Sequence, residues 1–333
     1  MKLTVAPSLP SLSRVTEATR PPLRVGLVQT HWYEDTDKHV ANLQAGIKLA
    51  AEAGAKIVFL QELTLSRYPA DVAPVGIPNA TAERLEDGPT FAMAAQAAVE
   101  NNVFVHASLF EYDEIPDGRG WNTAIIVSPT GKLVAKTRKL HIPVTAGYYE
   151  DKYFTPGPAD GTPYPVSHIN FDGLTAAFGL PTCWDEWFPE VARIYSLHGA
   201  EVLAYPTAIG SEPDHPDFDT EPLWRQTIVG NAISSGTFMV VPNRWGSEGK
   251  ISFYGSSFIC DPFGRILARA GREGDEVLVA DLDLDQRRDW LTLFPFLATR
   301  RPDTYTPLTA PVVNRRLPNG EGELGGIAGV ARS

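Results

Sequence analysis

Short apolar runs of strand type recur along the whole middle of the chain: "LRVGLVQT", "AKIVFLQEL", "NVFVHASLF", "WNTAIIVSP", "LTAAFGLPTC", "AEVLAYPTAI", "TFMVVPNRWG", "FYGSSFICD" and "DEVLVADLDL". They are too many for one small sheet. Between them lie stretches of helical period. "TDKHVANLQAGIKLAAEAG" sets Val40, Leu43 and Ile47 on one face, and "WFPEVARIYSLHG" sets Phe188, Val191, Ile194 and His198 on another. Gly54 and Gly199 stand where the C-caps of these helices fall. Strands alternating with helices, with a few strands in succession, predict a layered α/β domain whose helices cover sheets from outside.

A chain of 333 residues is long enough for a sizeable core, and 29 basic against 40 acidic residues give a formal net charge of -11. That balance argues against a nucleic-acid surface or an anionic membrane as partner and favours a neutral or cationic small-molecule substrate. Two cysteines, Cys183 and Cys260, are too few for a disulfide framework or a cysteine-rich zinc site, so a reducing compartment is expected. The amino end has no apolar signal-peptide core and no apolar run reaches the ~20 residues of a membrane span, which predicts a cytoplasmic protein. Residues 1–22, rich in Pro, Ser and Thr, and residues 307–333, rich in Gly, Pro and Arg, are expected to be flexible tails. No linker divides residues 23–306, which are expected to form one domain.

Three polar residues end or directly follow strand-like runs: Glu62 after "KIVFLQ", Lys139 after "LVAKTR" and Cys183 after "LTAAFGLPT". Catalytic groups of α/β sheets gather at the carboxyl ends of strands. A cysteine at a strand-to-helix turn would feel the positive end of the next helix, which lowers a thiol pKa. A carboxylate base, an ammonium to hold an oxyanion and a thiol nucleophile are the minimum set for amide hydrolysis. Taken singly, each also fits a plainer role. Cys183 and Cys260 suit small buried hydrophobes, Glu62 a strand-end ion pair, and Lys139 a solvated charge beside Arg138 and Lys136. Position and spacing alone leave these alternatives open.

"FLQELTLSRY", "KTRKLHIP" and "CWDEWFPE" are similar, in that order, to the three signature segments of the nitrilase superfamily of carbon-nitrogen hydrolases. The resemblance covers residues 23 to about 307. "GYYEDKYFTPG", "GAEVLAYPTAIGSEP", "ISFYGSSFICDPFGRI" and "RRPDTY" look most like the N-carbamoylputrescine amidohydrolase branch. It implies an αββα sandwich, two mixed sheets face to face with helices outside, with no metal and no organic cofactor. Glu62, Lys139 and Cys183 match the family's catalytic positions, and a second glutamate matches at Glu150, where it would orient Lys139. The implied chemistry is attack by Cys183 on an N-carbamoyl amine, with Lys139 and the Trp184 backbone N–H holding the oxyanion. Glu212 in "AIGSEP" matches a position suited to a distal ammonium, and Tyr68 is expected to wall the pocket or donate to the substrate carbonyl. His141 in "KLHIP" is expected to be structural. Self-association is implied as well, and the aromatic-rich "WLTLFPFLATRRPDTY" agrees with it.

Two departures bear on the site. The segment after Tyr68, "PADVAPVGIPNATAERLEDGPTF", lacks the Phe-Cys type continuation of the carbamoylputrescine branch, which leaves beta-ureidopropionase-like, aliphatic amidase or nitrilase activity as alternatives on the same site. A catalytically silent scaffold is the remaining alternative. Pro181, two residues before Cys183, removes a ladder donor and is expected at an edge or irregularity.

Overall fold

The computed structural model describes residues 1–145 and 147–310. The first sheet takes β1 (Lys2–Val5), β2 (Leu23–Gln29), β3 (Ile57–Phe59), β4 (Phe104–Glu111), β5 (Trp121–Val127) and β6 (Leu133–Arg138). The second takes β7 (Ser167–Phe171), β8 (Leu174–Gly179), β9 (Val202–Ala204), β10 (Phe238–Val241), β13 (Phe258–Cys260) and β14 (Ile266–Arg269), while β11 (Trp245–Glu248) and β12 (Ile251–Tyr254) form a hairpin between them in sequence. The last strand, β15 (Glu276–Leu282), returns to the first sheet between β1 and β2. In each sheet three strands run parallel through helical crossovers. β2, β3 and β4 are joined by α1 (Thr36–Glu52) and α2 (Pro89–Asn101), and β8, β9 and β10 by α4 (Pro189–Leu197) and α5 (Glu221–Ser235). A single turn, α3 (Glu150–Tyr153), and α6 (Asp285–Leu293) complete the helices.

Alternation along the strands builds three apolar layers. Val25, Leu27, Ile57 and Phe59 of the first sheet meet Ala176, Phe178, Val202 and Val240 of the second. Their neighbours Val28 and Val58 point the other way, onto Leu43 and Ile47 of α1 and Ala94 of α2. On the far side Leu203 and Met239 pack on Val191 and Tyr195 of α4 and Trp224 and Ile228 of α5. Both faces of each sheet are therefore covered, which is why the strands read as near-continuous apolar runs. The architecture is the expected αββα sandwich.

Details differ from the sequence reading. In α4 the buried side chains are Val191, Ala192, Tyr195 and Ser196, while Ile194 is half-buried and His198 exposed. The stripe is rotated because Tyr195 packs where Gly179 of β8 has no side chain: a Cβ there would lie 2.5 Å from its ring. "FYGSSFICD" is not one strand, since Gly255 (φ 55°) and Ser256 (φ 58°) turn the chain between β12 and β13. The expected flexible tail at residues 1–22 is also corrected. β1 adds in parallel to β15, Ser11 donates to Asp289 at 2.8 Å, and Arg20 pairs with Asp285 at 3.0 Å and Glu201 at 2.8 Å. Most of its partners lie near the other end of the chain, in β15 and "DLDLDQRRD", and one, Glu201, in the second half, all beyond the reach of local composition. At the carboxyl end Thr306–Thr309 forms a short 3-10 turn, and the tail expected beyond residue 310 lies outside the described residues. No described helix is long and apolar enough to cross a membrane.

One core residue gives the fold an acid limit. His106 of β4 is fully buried beside Phe59, and burial pushes its imidazole down to about 3. The unfolded chain takes that proton near pH 6.5, so stability falls as the pH drops from there, by about 4 kcal/mol at pH 3. His106→Leu is expected to match wild type in urea unfolding at pH 7.5, apart from a pH-independent offset, and to gain about 3 kcal/mol on it by pH 4. Parallel stability profiles for the two proteins would show that His106 is not the source.

Candidate active site

The three strand-end residues converge. β3 and β6 of the first sheet deliver Glu62 and Lys139, and β8 of the second delivers Cys183, all just past their carboxyl ends. Pro181 lies beyond the last ladder residue, Gly179, so its missing N–H removes no strand bond. The chain remains tied to β9's continuation, because the Cys183 N–H donates to Pro206 O at 3.0 Å. Cys183 itself adopts φ 42°, a left-handed backbone that a non-glycine residue holds only where its surroundings enforce it.

Those surroundings centre on Asp185. Its carboxylate accepts from the Thr182 N–H at 3.0 Å and from the His141 N–H at 2.9 Å, and meets His141 Nδ1 at 2.7 Å. His141 stacks on Phe188, centroids 3.9 Å apart. One buried carboxylate thus pins the cysteine turn, from the second sheet, to the loop that follows Lys139, from the first. His141 is structural, as expected.

Lys139 Nζ donates to Glu62 Oε1 at 3.0 Å and to Glu150 Oε2 at 2.6 Å, and all three side chains are buried. Asn122 Nδ2 also donates to Glu62 Oε1 at 2.7 Å, while Glu62 Oε2 has no hydrogen bond among the described residues. That oxygen is free to accept a proton. Burial opposes the Lys139 charge, but Glu150 and then Glu62 outweigh it and raise the ammonium's pKa well above its ordinary value. Burial pushes the Glu150 carboxyl up against the opposing pull of Lys139.

The cysteine departs from the sequence expectation. Its thiol is raised well above the ordinary value, by burial first and then by Glu62, with Lys139 pulling the other way. The expected helix-dipole lowering fails because a 3-10 turn, Cys183–Trp187, intervenes before α4 begins at Pro189. Cys183 therefore rests as a thiol at neutral pH, and its proton has to leave as the sulfur attacks. Cys260 is fully buried in the core under α5, where burial and then Asp261 raise its thiol.

Cys183 and Glu150 open onto a cavity of about 370 Å³ whose walls include Tyr148, Trp184, Ile209 and Glu212. Trp184 and Glu212 are thus where the sequence predicted them. Tyr68 is not: it is fully buried, absent from the lining, and its hydroxyl donates to Glu150 Oε1 at 2.7 Å. It supports the second glutamate from behind. Burial raises the Glu212 carboxyl, partly offset by His215. No lysine or arginine is among the described lining residues. Sequence reasoning missed Asn122, Asp185 and Tyr148; of these Asp185, inside "CWDEWFPE", and Tyr148, inside "GYYEDKYFTPG", lay in motifs that had already been singled out.

A sandwich with a carboxylate, an ammonium and a thiol gathered at strand ends defines a carbon-nitrogen hydrolase, and the family model "Carbon-nitrogen hydrolase" matches residues 24–291. The chain belongs to that family and is a hydrolase of carbon-nitrogen bonds other than peptide bonds. It is similar to an N-carbamoylputrescine amidase of Arabidopsis thaliana, 35% identical over 301 residues that cover 88% of this chain and 97% of the relative. It is also similar to a citrullinase of Francisella tularensis subsp. tularensis, 34% identical over 290 residues, 85% of this chain and 96% of the relative. Among solved structures, a carbon-nitrogen hydrolase from Helicobacter pylori G27 superposes with a TM-score of 0.76 at 30% identity, over 87% of this chain and 99% of that one.

Asp185→Ala should show how far the turn depends on its carboxylate. Two backbone N–H groups would lose their acceptor, each costing about 1–3 kcal/mol when buried. A loss of about 3 kcal/mol in chemical denaturation is expected; a loss below about 0.5 kcal/mol would mean the turn holds without it.

Proposed function

We infer that the protein is a cysteine-dependent amidohydrolase of N-carbamoyl amines, of which N-carbamoylputrescine is the type. The observation that carries this reading is the buried Glu62–Lys139–Glu150 cluster beside Cys183, at a cavity whose described lining offers carboxylates and no lysine or arginine. Glu62 Oε2 takes the thiol proton as Sγ bonds to the ureido carbon. The carbonyl π electrons move to oxygen, where the Lys139 ammonium and the Trp184 backbone N–H hold them. Collapse breaks one C–N bond, and the departing amine or ammonia takes the proton from Glu62. A thiocarbamate on Cys183 remains. Water gives a proton to Glu62 and adds to the thiocarbamate carbon, and the second collapse frees the sulfur, which recovers the proton. The acid released decomposes, so the products are amine, carbon dioxide and ammonia. Glu150, held by Tyr68, keeps the ammonium aimed at the oxyanion position.

Substrate choice within this chemistry rests on charge. Citrulline and N-carbamoylputrescine share a ureido group on an aliphatic chain that ends in an ammonium, and citrulline adds a carboxylate beside it. Glu212 suits the ammonium by a charge-assisted hydrogen bond. The extra carboxylate would face Glu212 with no lysine or arginine among the described wall residues to receive it, a like-charge approach that disfavours binding. The exposed Leu293, Phe294 and Leu308 near the carboxyl end support the further reading that the chain self-associates there.

Ammonia release across N-carbamoylputrescine, citrulline, a carbamoyl β-amino acid, simple amides and nitriles tests the reading. kcat/KM for N-carbamoylputrescine is expected to exceed that for citrulline by at least ~100-fold; a preference for citrulline or the carbamoyl acid overturns it. Glu212→Gln should raise KM for the diamine substrate about 10- to 100-fold while leaving kcat within a few-fold. Cys183→Ser should fold and lose turnover by orders of magnitude, because a carboxylate base generates an alkoxide far less readily than a thiolate. Cys260→Ser should keep its turnover. Wild-type turnover by folded Cys183→Ser would end the covalent mechanism.

A further inference from the structure

A second buried ion pair lies behind the first. Arg244, the residue at which β10 gives way to β11, is fully buried and forks its guanidinium two ways. Nη1 donates to both oxygens of Glu248, at 2.8 and 2.9 Å. Nη2 donates across the sandwich to Glu62 O at 2.6 Å and Leu63 O at 3.1 Å, and both nitrogens also reach Ser66 O, at 3.3 and 3.4 Å. Three carbonyls of one loop therefore converge on a single cation. They can do so because Leu63 takes the left-handed conformation, φ 48°, which a branched residue adopts only under constraint. Glu248 completes the hold by accepting the Tyr68 N–H at 2.8 Å.

The loop held in this way carries both supports of the catalytic ammonium. Its first residue is Glu62, which meets Lys139 directly, and its last is Tyr68, whose hydroxyl meets Glu150. The adjacent Asn243 grips Ile209 on the cavity wall, Nδ2 to Ile209 O at 3.0 Å and Ile209 N to Oδ1 at 3.1 Å. The geometry points to Arg244, with Glu248, as the positioning pair that sets the Glu62 and Tyr68 supports of Lys139 against the nucleophile's half of the site. Arg244 touches no reacting atom. It acts by fixing the backbone that carries the base, where an error of about 1 Å at the reacting groups costs about 100-fold in rate. Lysine cannot replace it, because a single ammonium lacks the planar fork that serves Glu248 and the carbonyls together. The inference rests on the catalytic reading of Glu62 and Cys183 proposed above.

Two variants and two readouts test it. Arg244→Lys is expected to lower kcat for N-carbamoylputrescine at least ~100-fold with KM within about threefold, since Glu212 and Trp184 are held by other contacts. Glu248→Gln keeps an acceptor for the Tyr68 N–H but loses the charge, is close in shape, and is expected to fold with kcat lowered about 10-fold. Iodoacetamide labelling of Cys183, normalised to Cys260 in the same sample, should slow in parallel with kcat. A pair that only stabilises the fold would lower the melting temperature while kcat per folded enzyme and the labelling ratio stay at wild type, and that result in Glu248→Gln overturns the proposal even if Arg244→Lys does not fold. If wild-type Cys183 labels no faster than Cys260 and no carbamoyl substrate is turned over, the catalytic reading falls first and takes this inference with it.

Discussion

Lys139 carries its charge where water does not reach, and it stays charged because Glu62 and Glu150 hold it from two sides at 3.0 and 2.6 Å. The sulfur beside them is governed by burial first, with Glu62 adding to it and Lys139 pulling the other way. A resting thiolate would be a further anion in the same dry volume, so Cys183 keeps its proton. On the proposed mechanism that proton leaves only when a substrate carbonyl arrives. The proton then neutralises Glu62 as the negative charge moves to an oxygen beside Lys139, and the sum of charges in the cluster does not change. A site of this kind needs no preformed thiolate. It needs a base with a free lone pair, which Glu62 Oε2 supplies.

Such an arrangement tolerates little displacement, and the fold contributes its parts from different elements. Glu62 and Lys139 come from strands of one sheet and Cys183 from the other, so the distance between base and nucleophile is a distance between sheets. Apolar packing of Phe59 and Ile57 against Phe178 and Ala176 sets the separation coarsely. Polar bridges refine it, because hydrogen bonds are directional where apolar contact is not. Asp185 joins the cysteine turn to the loop after Lys139, and Arg244 joins the end of β10 to the Glu62 carbonyl. Both are buried charged groups with several partners, the condition under which removing one partner is most disruptive.

What could be read beforehand follows from how far each interaction reaches along the chain. The layered architecture was legible because two-sided burial writes itself into each strand as an apolar run. Glu62, Lys139 and Cys183 were legible because each interrupts such a run at its carboxyl end, and the resemblance of their motifs gave them a common purpose. Interactions joining distant segments left no local trace. The amino-terminal segment reads as a tail because its acidic partners lie far along the chain, 278 residues away in the Ser11–Asp289 bond. Tyr68 was assigned to the wrong side of Glu150, since a motif gives proximity and not direction. α5 passed unnoticed because Asn231 and Ser235 are buried beside Trp224, Ile228 and Ala232, which blurs its apolar period.

The cavity adds a second electrostatic demand to the first. Its described walls carry Glu150 and Glu212 without a lysine or arginine, and of the two Glu150 is already paired to Lys139 at 2.6 Å, while Glu212 has only His215 as a charged neighbour on the wall. On the proposed substrate reading Glu212 is the carboxylate left to meet a cationic tail, and it would repel an acid. The two ends of a carbamoyl amine then experience opposite conditions: the ammonium gains a partner, while the ureido group meets a buried ammonium that can hold only a developing oxyanion. After cleavage the balance separates the products. On that reading the acyl part leaves as carbon dioxide with no partner on the described wall to hold it, whereas the released amine would keep its partner at Glu212. Recognition and turnover of such a substrate would therefore pull against each other at one residue, Glu212, whose half-buried setting raises its carboxyl and so opposes a permanent hold on the amine.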